Sequence, residues 1–147
     1  MSAHGCAHEV LMTIASCIAM VLRIMVLMAD FTHILATRPD FTESDREWLH
    51  HLVADWQVIA DLSFADLLLI VQDGDGNYRI VEQCRPSTVM TLRIDDAVGA
   101  LVAPEMVGEL DAAMQSKTVF RSTVLRAVGK STVCNVYAPV RHDGKTL

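Results

Sequence analysis

Apolar residues recur at Trp48, Leu49, Leu52, Val53, Trp56, Ile59 and Ala60, with polar residues between them. Gaps of three and four place these positions on one face of a helix. Ser44 and Glu47 stand three apart just before the run, in the spacing of a capping box. The pattern predicts a helix from about Glu43 to about Leu62, with His50 and His51 on or beside its polar side. The period then changes. Leu67 to Val71 reads LLLIV, a short and wholly apolar run of the kind that makes a buried strand. Asp73-Gly74-Asp75-Gly76-Asn77 is a turn signal, and Tyr78 to Cys84 alternates as the returning strand of a hairpin. Arg85-Pro86-Ser87-Thr88 breaks that strand, and Asp95 to Gly99 is a loop or short turn. Pro104 to Ser116 suits a second helix with proline in its first turn. Thr132 to Val140 is a third strand by its β-branched content, and Arg141 to Gly144 is another hairpin turn. A turn of that kind promises a partner strand, and only three residues follow it. The expectation is a chain cut short before its last strand, with Thr132 to Val140 left as a bare edge.

The order helix, strand, turn, strand, loop, helix, strand, turn predicts an α+β domain, with an antiparallel sheet and helices on one face. Small-molecule sensor domains of the GAF and PAS kind share this architecture, as do other α+β folds. Upstream, Val10 to Ala29 is about one bilayer span long and carries Arg23 as its only charge. Three readings stand for it. It is a single membrane anchor, although an arginine near mid-span is costly; a signal peptide, although no basic residue precedes it; or the product of an over-long gene start, the natural protein beginning at Met25 or Met28. The chain accordingly divides into an apolar extension and linker at 1–39 and a C-terminally incomplete sensor-type domain at 40–147.

Charge narrows the partners. A net charge of -6 and the lack of any Lys/Arg cluster argue against direct binding of nucleic acid. The four cysteines, Cys6, Cys17, Cys84 and Cys134, have no CxxC spacing, so no metal site is expected. An apolar content of 52% supplies a core without disulfides, which points to a reduced, cytoplasmic protein.

Within DWQVIADLSFADLLLIV the aspartates Asp55, Asp61 and Asp66 interrupt an otherwise apolar run. As an acid/base set they would have to converge on one pocket with separated pKa values. As caps and turn formers they need only bond free backbone amides where helix becomes strand, and that is the expected role. His50 and His51 are neighbours on a helix and cannot share a metal. Four residues, Cys84, Arg85, Asp95 and Cys134, are candidates for contact with a ligand. Cys84 and Cys134, each on a strand, would meet across the sheet to hold a soft metal or sense oxidants, or else are small buried hydrophobes. Arg85, at a strand end, would bind an anionic group or pair with Asp95 or Asp96. No GxxxxGK[ST], GxGxxG, GxSxG or HExxH is present. The residues describe a binding domain with no catalytic residue of its own.

The same stretch carries a resemblance. Trp56-Gln57 followed by Ala60-Asp61-Leu62-Ser63-Phe64-Ala65-Asp66 resembles the N-terminal sensor segment of actinobacterial two-component sensor histidine kinases. Gln83-Cys84-Arg85-Pro86-Ser87-Thr88, Asp95-Asp96-Ala97-Val98-Gly99 and Pro139 to Gly144 are similar to later segments of that family, in the same order. The likeness spans about 40–147. It implies a GAF-like input domain whose parent kinase is cytosolic and dimeric and uses ATP and Mg. Such a kinase passes a phosphoryl group to a response regulator, in the best matches one with an RNA-binding antiterminator domain. It also implies an unknown small-molecule ligand. Neither the histidine box nor the ATP-lid motifs of the family are in this sequence, so no cofactor is expected in this chain itself. The family segment begins near its protein's start, which favours the over-long gene start.

Overall fold

The computed structural model describes residues 32–147, apart from 34, 37, 92 and 129. The apolar run at 10–29 lies outside the described residues. Helix α1 spans Glu43–Ala54 and α2 spans Trp56–Ser63. Thr42, in extended backbone, accepts from the Asp45 amide at 3.1 Å, and the Asp45 carboxylate accepts from the Thr42 amide at 2.9 Å. The capping box is therefore Thr42/Asp45, two residues before the Ser44/Glu47 pair that spacing suggested. Ser44 falls inside the first turn, where its hydroxyl has no orphan amide to cap. The single predicted helix is broken at Asp55 (φ -96°, ψ 1°), outside helical backbone. Across that break both Leu49 and Trp56 reach one apolar cluster.

Helix α2 ends on Phe64 in left-handed backbone, and β1 (Leu67–Gln72) follows. It pairs antiparallel with β2 (Tyr78–Cys84), from Leu67 opposite Cys84 to Gln72 opposite Tyr78. The register steps between Leu69 and Ile70, where the partners jump from Glu82 to Ile80, so the extra residue is Val81 on β2. The Asp73 carboxylate closes the turn by accepting from the Asp75 and Asn77 amides at 3.0 and 2.9 Å, and Gly76 supplies the positive φ of 83°. After a loop the chain returns along the outer edge of β2. The Gly99 amide donates to the Ile80 carbonyl at 2.8 Å, and the Val102 amide to Tyr78 at 2.9 Å.

Helix α3 (Pro104–Ser116) starts on proline. Two strands then form a ribbon, β3 (Phe120–Val128) with β4 (Ser131–Tyr137). β3 has no counterpart in the sequence-based elements. Its one buried residue is polar, Ser122, and Val124 and Leu125 are exposed, so the periodic apolar signal of a half-buried strand is missing. The strand expected at Thr132–Val140 begins one residue earlier and stops at Tyr137, ahead of Pro139, and one of its edges is occupied by β3. The expected last turn closes a minimal hairpin, β5 (Arg141–His142) with β6 (Lys145–Thr146).

Two apolar clusters lie on opposite sides of β1. Leu69 and Val71, with Leu67 beside them, join Leu35, Phe41, Leu49, Trp56, Val81 and Leu147. Leu68 and Ile70 pack against Tyr78, Ile80, Val102, Met106, Leu110 and Tyr137. Alternation along a strand explains the split. The α+β class follows, with small antiparallel sheets and flanking helices. Among the described residues no helix is long and apolar enough to cross a membrane.

Candidate functional site

The loop between β2 and the returning segment, Arg85 to Val98, is held by polar tethers, and the signature aspartates supply two of them. The Asp61 carboxylate accepts from the Ser87 amide at 2.6 Å and from the Ser87 hydroxyl at 3.0 Å. The Ser87 amide is the main reason its pKa lies below the usual carboxylate value. Gln57, one helical turn before Asp61, donates to it at 3.2 Å and to the Arg85 carbonyl at 3.1 Å. The Thr88 hydroxyl reaches the Asp61 carbonyl. Asp66 accepts from the Thr91 hydroxyl at 2.7 Å and from the Arg93 amide at 3.1 Å. The aspartates do bond backbone amides at the junction, but those amides belong to a loop some 26 residues away. They do not form an acid/base pair, because each is occupied by its own stretch of loop.

Arg85 is the third tether. Its guanidinium donates to the carbonyls of Arg93 at 2.9 Å and Asp95 at 2.8 Å, with a longer contact to Ile94. The expected pairing with the carboxylate of Asp95 or Asp96 is replaced by bonds to backbone carbonyls. Asp95 contributes its carbonyl and leaves its side chain exposed, while the Asp96 carboxylate closes a local turn on the Val98 amide at 3.1 Å. Gln83 is the fourth tether. Its side-chain oxygen accepts from the Ala97 amide at 2.9 Å, and its side-chain nitrogen is buried without a hydrogen-bond partner among the described residues. The loop so held presents Met90 and Ile94 to solvent, at 92% and 83% exposure.

The cysteines are not brought together. Cys84 ends β2 and Cys134 lies on β4, in different two-stranded sheets, and both are free thiols. Burial, then the nearby carboxylates of Asp61, Glu82 and Asp66, push the Cys84 thiol upward. A redox sensor needs a ready thiolate, so this environment works against oxidant sensing at Cys84. Cys134 is exposed on its strand, and its sulfur donates to the Ser122 carbonyl at 3.0 Å. His50 is half-buried and His51 exposed on α1. Among the described residues no group of three or more His, Cys, Asp or Glu side chains is placed to share a metal ion.

Two further polar clusters escaped sequence reasoning. The buried Asp45 carboxylate accepts from His142 Nδ1 at 2.9 Å and pairs with Lys145 Nζ at 3.3 Å, tying the β5–β6 hairpin to the start of α1. The Lys145 ammonium also donates to the Asp40 carbonyl, and the Trp48 ring stacks on His142 at 5.3 Å. The second cluster joins α3 to the β3–β4 ribbon. Glu109 accepts from Ser122 at 2.6 Å and Tyr137 at 2.8 Å, and pairs with Arg126 at 3.0 Å. These bonds, Ser122 foremost, lower its pKa. Asp45 and His142 are 97 residues apart, and no local spacing announces such a pair.

Comparison with known proteins follows the same outline. The family model described as "Histidine kinase PdtaS, GAF domain" matches residues 31–147. A sensor histidine kinase PdtaS of Mycolicibacterium smegmatis is 32% identical over 123 residues, which cover 82% of this chain and 25% of that protein. A Mycobacterium tuberculosis relative of the same name is 35% identical over 120 residues, covering 82% of this chain and 22% of its own length. The chain thus spans about a quarter of the curated relatives it matches. Among solved structures, the sensor region of a sensor histidine kinase superposes with a TM-score of 0.53 at 37% identity, covering 72% of this chain and 38% of the other.

Proposed function

The chain belongs to the family of GAF domains of the histidine kinase PdtaS, and from that premise we propose that its tethered loop is the element through which it regulates a kinase. The chain is a sensor input domain and covers the sensor part alone. In the reading advanced here, the loop at 85–98 has two arrangements, and a small molecule bound beneath it favours one of them. A ligand shifts such an equilibrium only by its differential affinity for the two states. One observation carries the reading: four separate tethers, from Asp61, Asp66, Gln83 and Arg85, converge on a single loop that otherwise exposes apolar residues. Each tether is a set of one to three hydrogen bonds, few enough for a ligand to exchange. Gln83 adds a buried donor in want of an acceptor, which suits a ligand with a carbonyl or similar oxygen.

The module is read as 40–147 together with the core-packed segment around Leu35, within the 31–147 that the family model matches. The bias would pass to a kinase that autophosphorylates, as a dimer, and hands the phosphoryl group to a response regulator. ATP and Mg belong to that kinase part, because this sequence has none of the phosphate-binding motifs that would hold them. A cytoplasmic location suits the reading. The alternative of a redox-sensing module is disfavoured by the raised pKa at Cys84.

The test places this domain in a PdtaS kinase in exchange for the native one. Asp61→Ala combined with Ser87→Ala frees the loop, read as faster amide exchange at 85–97. Autophosphorylation from labelled ATP is then expected to change several-fold. An unchanged rate with the loop demonstrably freed would rule the loop out as the regulatory element.

A further inference from the structure

Helix α2 is apolar on two sides. Trp56 and Ala60 are buried and hold it to the fold, while Val58 and Leu62, one turn apart on the opposite side, are exposed. A helix apolar on both faces is normally covered on both. The exposed side continues beyond the helix. Asp61 ties the loop at Ser87 and Thr88, and Asp66 ties it again at Thr91 and Arg93. The two ties bracket Leu62 and Phe64 on the helix side and Val89 and Met90 on the loop side, and all four side chains are exposed. Apolar residues gathered in this way differ from the singly scattered ones of an ordinary surface. Phe64 adds a second sign. It keeps left-handed backbone, φ 51°, with its ring in solvent, and strain of that kind is retained where a site uses it.

The rim of this patch is acidic. Asp55, Asp61 and Asp66 are the only charged residues from 55 to 66, and the loop adds Asp95 and Asp96. Of the loop's two cations, Arg85 is engaged with backbone carbonyls and Arg93 is half-buried. The first lysine of the chain is Lys117. The acidic field reaches Cys84, whose thiol is raised first by burial and then by Asp61, Glu82 and Asp66. We propose that α2 and the loop at 87–90 dock an amphipathic helix of a partner protein. Its apolar stripe lies on Val58, Leu62, Phe64 and Met90, and its flanking lysines or arginines lie beside Asp55, Asp61 and Asp66. A helix suits the surface because Val58 and Leu62 form the i, i+4 ridge on which helices pack. Charge selects among the other occupants. A second copy sets the same carboxylates against each other, and an anionic lipid surface repels them as well. The chain's own run at 10–29 has Arg23 as its only charge, so it lacks the flanking cations. The patch needs no ligand beneath the loop, and the inference therefore stands apart from the regulatory reading.

The experiment titrates the 147-residue chain into two fluorescent synthetic helices that share one leucine stripe, flanked by lysine in one and by glutamate in the other. The lysine helix is expected to bind in the micromolar range, roughly tenfold or more tighter than the glutamate helix, and to weaken as salt screens the rim. Leu62→Gln combined with Met90→Gln, both at exposed positions, leaves the core intact and is expected to weaken binding roughly tenfold. Failure of the lysine helix to bind overturns the proposal. So does equal binding of the two helices, which would leave the aspartates without a part. Binding unchanged by the double substitution would put the helix elsewhere, as on the exposed Val124 and Leu125 of β3. Self-association abolished by that substitution would make the occupant a second copy, and binding to phosphatidylglycerol vesicles in preference to either helix would make it a lipid surface.

Discussion

Asp45 shows what one side chain does at the foot of this fold. It is buried, and its carboxylate is held far below the ordinary aspartate range, first by His142 and then by the Thr42 amide. A carboxylate with a depressed folded pKa stabilises fully above its unfolded value of about 4, and that contribution is lost as pH falls below it toward the folded value. Asp45→Asn keeps the shape and removes the charge, leaving Lys145 without its carboxylate partner and the cap weakened. Breaking a buried pair from one side costs about 3 kcal/mol, and the exposed flank of Lys145 puts this case nearer 2. Urea unfolding followed by tryptophan fluorescence checks the value, since Trp48 stacks directly on His142. Between about pH 7 and pH 3 the unsubstituted chain is expected to lose more stability than the variant. Parallel acid limbs in the two proteins would place the proton uptake elsewhere. Nothing in the sequence around Asp45 flags this role, because its partners lie across the whole length of the domain. For Asp61 and Asp66 the local chemistry was legible: an aspartate at a helix-to-strand junction bonds free amides. Which amides was not, because Ser87 and Arg93 are placed by the fold and not by spacing.

Elements were legible where burial is one-sided and periodic, and hidden where it is not. The gaps of three and four found α1 and α2, and the apolar run and its turn found β1 and β2. The break at Asp55 left no mark, since a helix can stop and restart without disturbing an apolar stripe. β3 was invisible because its exposed valine and leucine and its buried serine invert the usual code. Phe64 marks the end of α2 with a left-handed backbone, φ 51°, while its side chain is 66% exposed. For a residue with a Cβ that conformation costs about 1 kcal/mol, and little packing offsets it here. Asparagine tolerates the same backbone through a local hydrogen bond. Phe64→Asn is expected to stabilise the domain by about 0.5 kcal/mol, read as a higher urea midpoint with an unchanged slope. A lower midpoint would show that the exposed ring is held by a contact worth more than the strain.

At the scale of the molecule, the two ends of the described chain close on each other. Leu35 enters the cluster of Leu49, Trp56, Leu69 and Val71 from one end, and Leu147 enters it from the other at 8% exposure. The sequence made the α+β class legible, and with it a final hairpin turn, although the strand after that turn was expected to be missing and Lys145–Thr146 in fact pairs back. It could not show that the hairpin is a fastening. Docking depends on two spatially separate holds: Leu147 in the cluster, with its amide bonded to the Val140 carbonyl at 3.0 Å, and the Asp45 carboxylate on His142 and Lys145. Leu147→Ala removes the first, at about 2 kcal/mol, toward the low end for a buried leucine because so short a hairpin can shift to fill the space. If both holds serve one cooperative docking step, either substitution alone already frees much of the hairpin, and the second then removes less. The double variant Asp45→Asn, Leu147→Ala is therefore expected to fall short of the summed single losses by about 0.5 to 1 kcal/mol. Denaturant unfolding of the four proteins of the cycle measures the shortfall. Full additivity would mean that the salt link and the apolar anchor hold separate pieces of structure, and that β5 and β6 are not released from α1 as a unit.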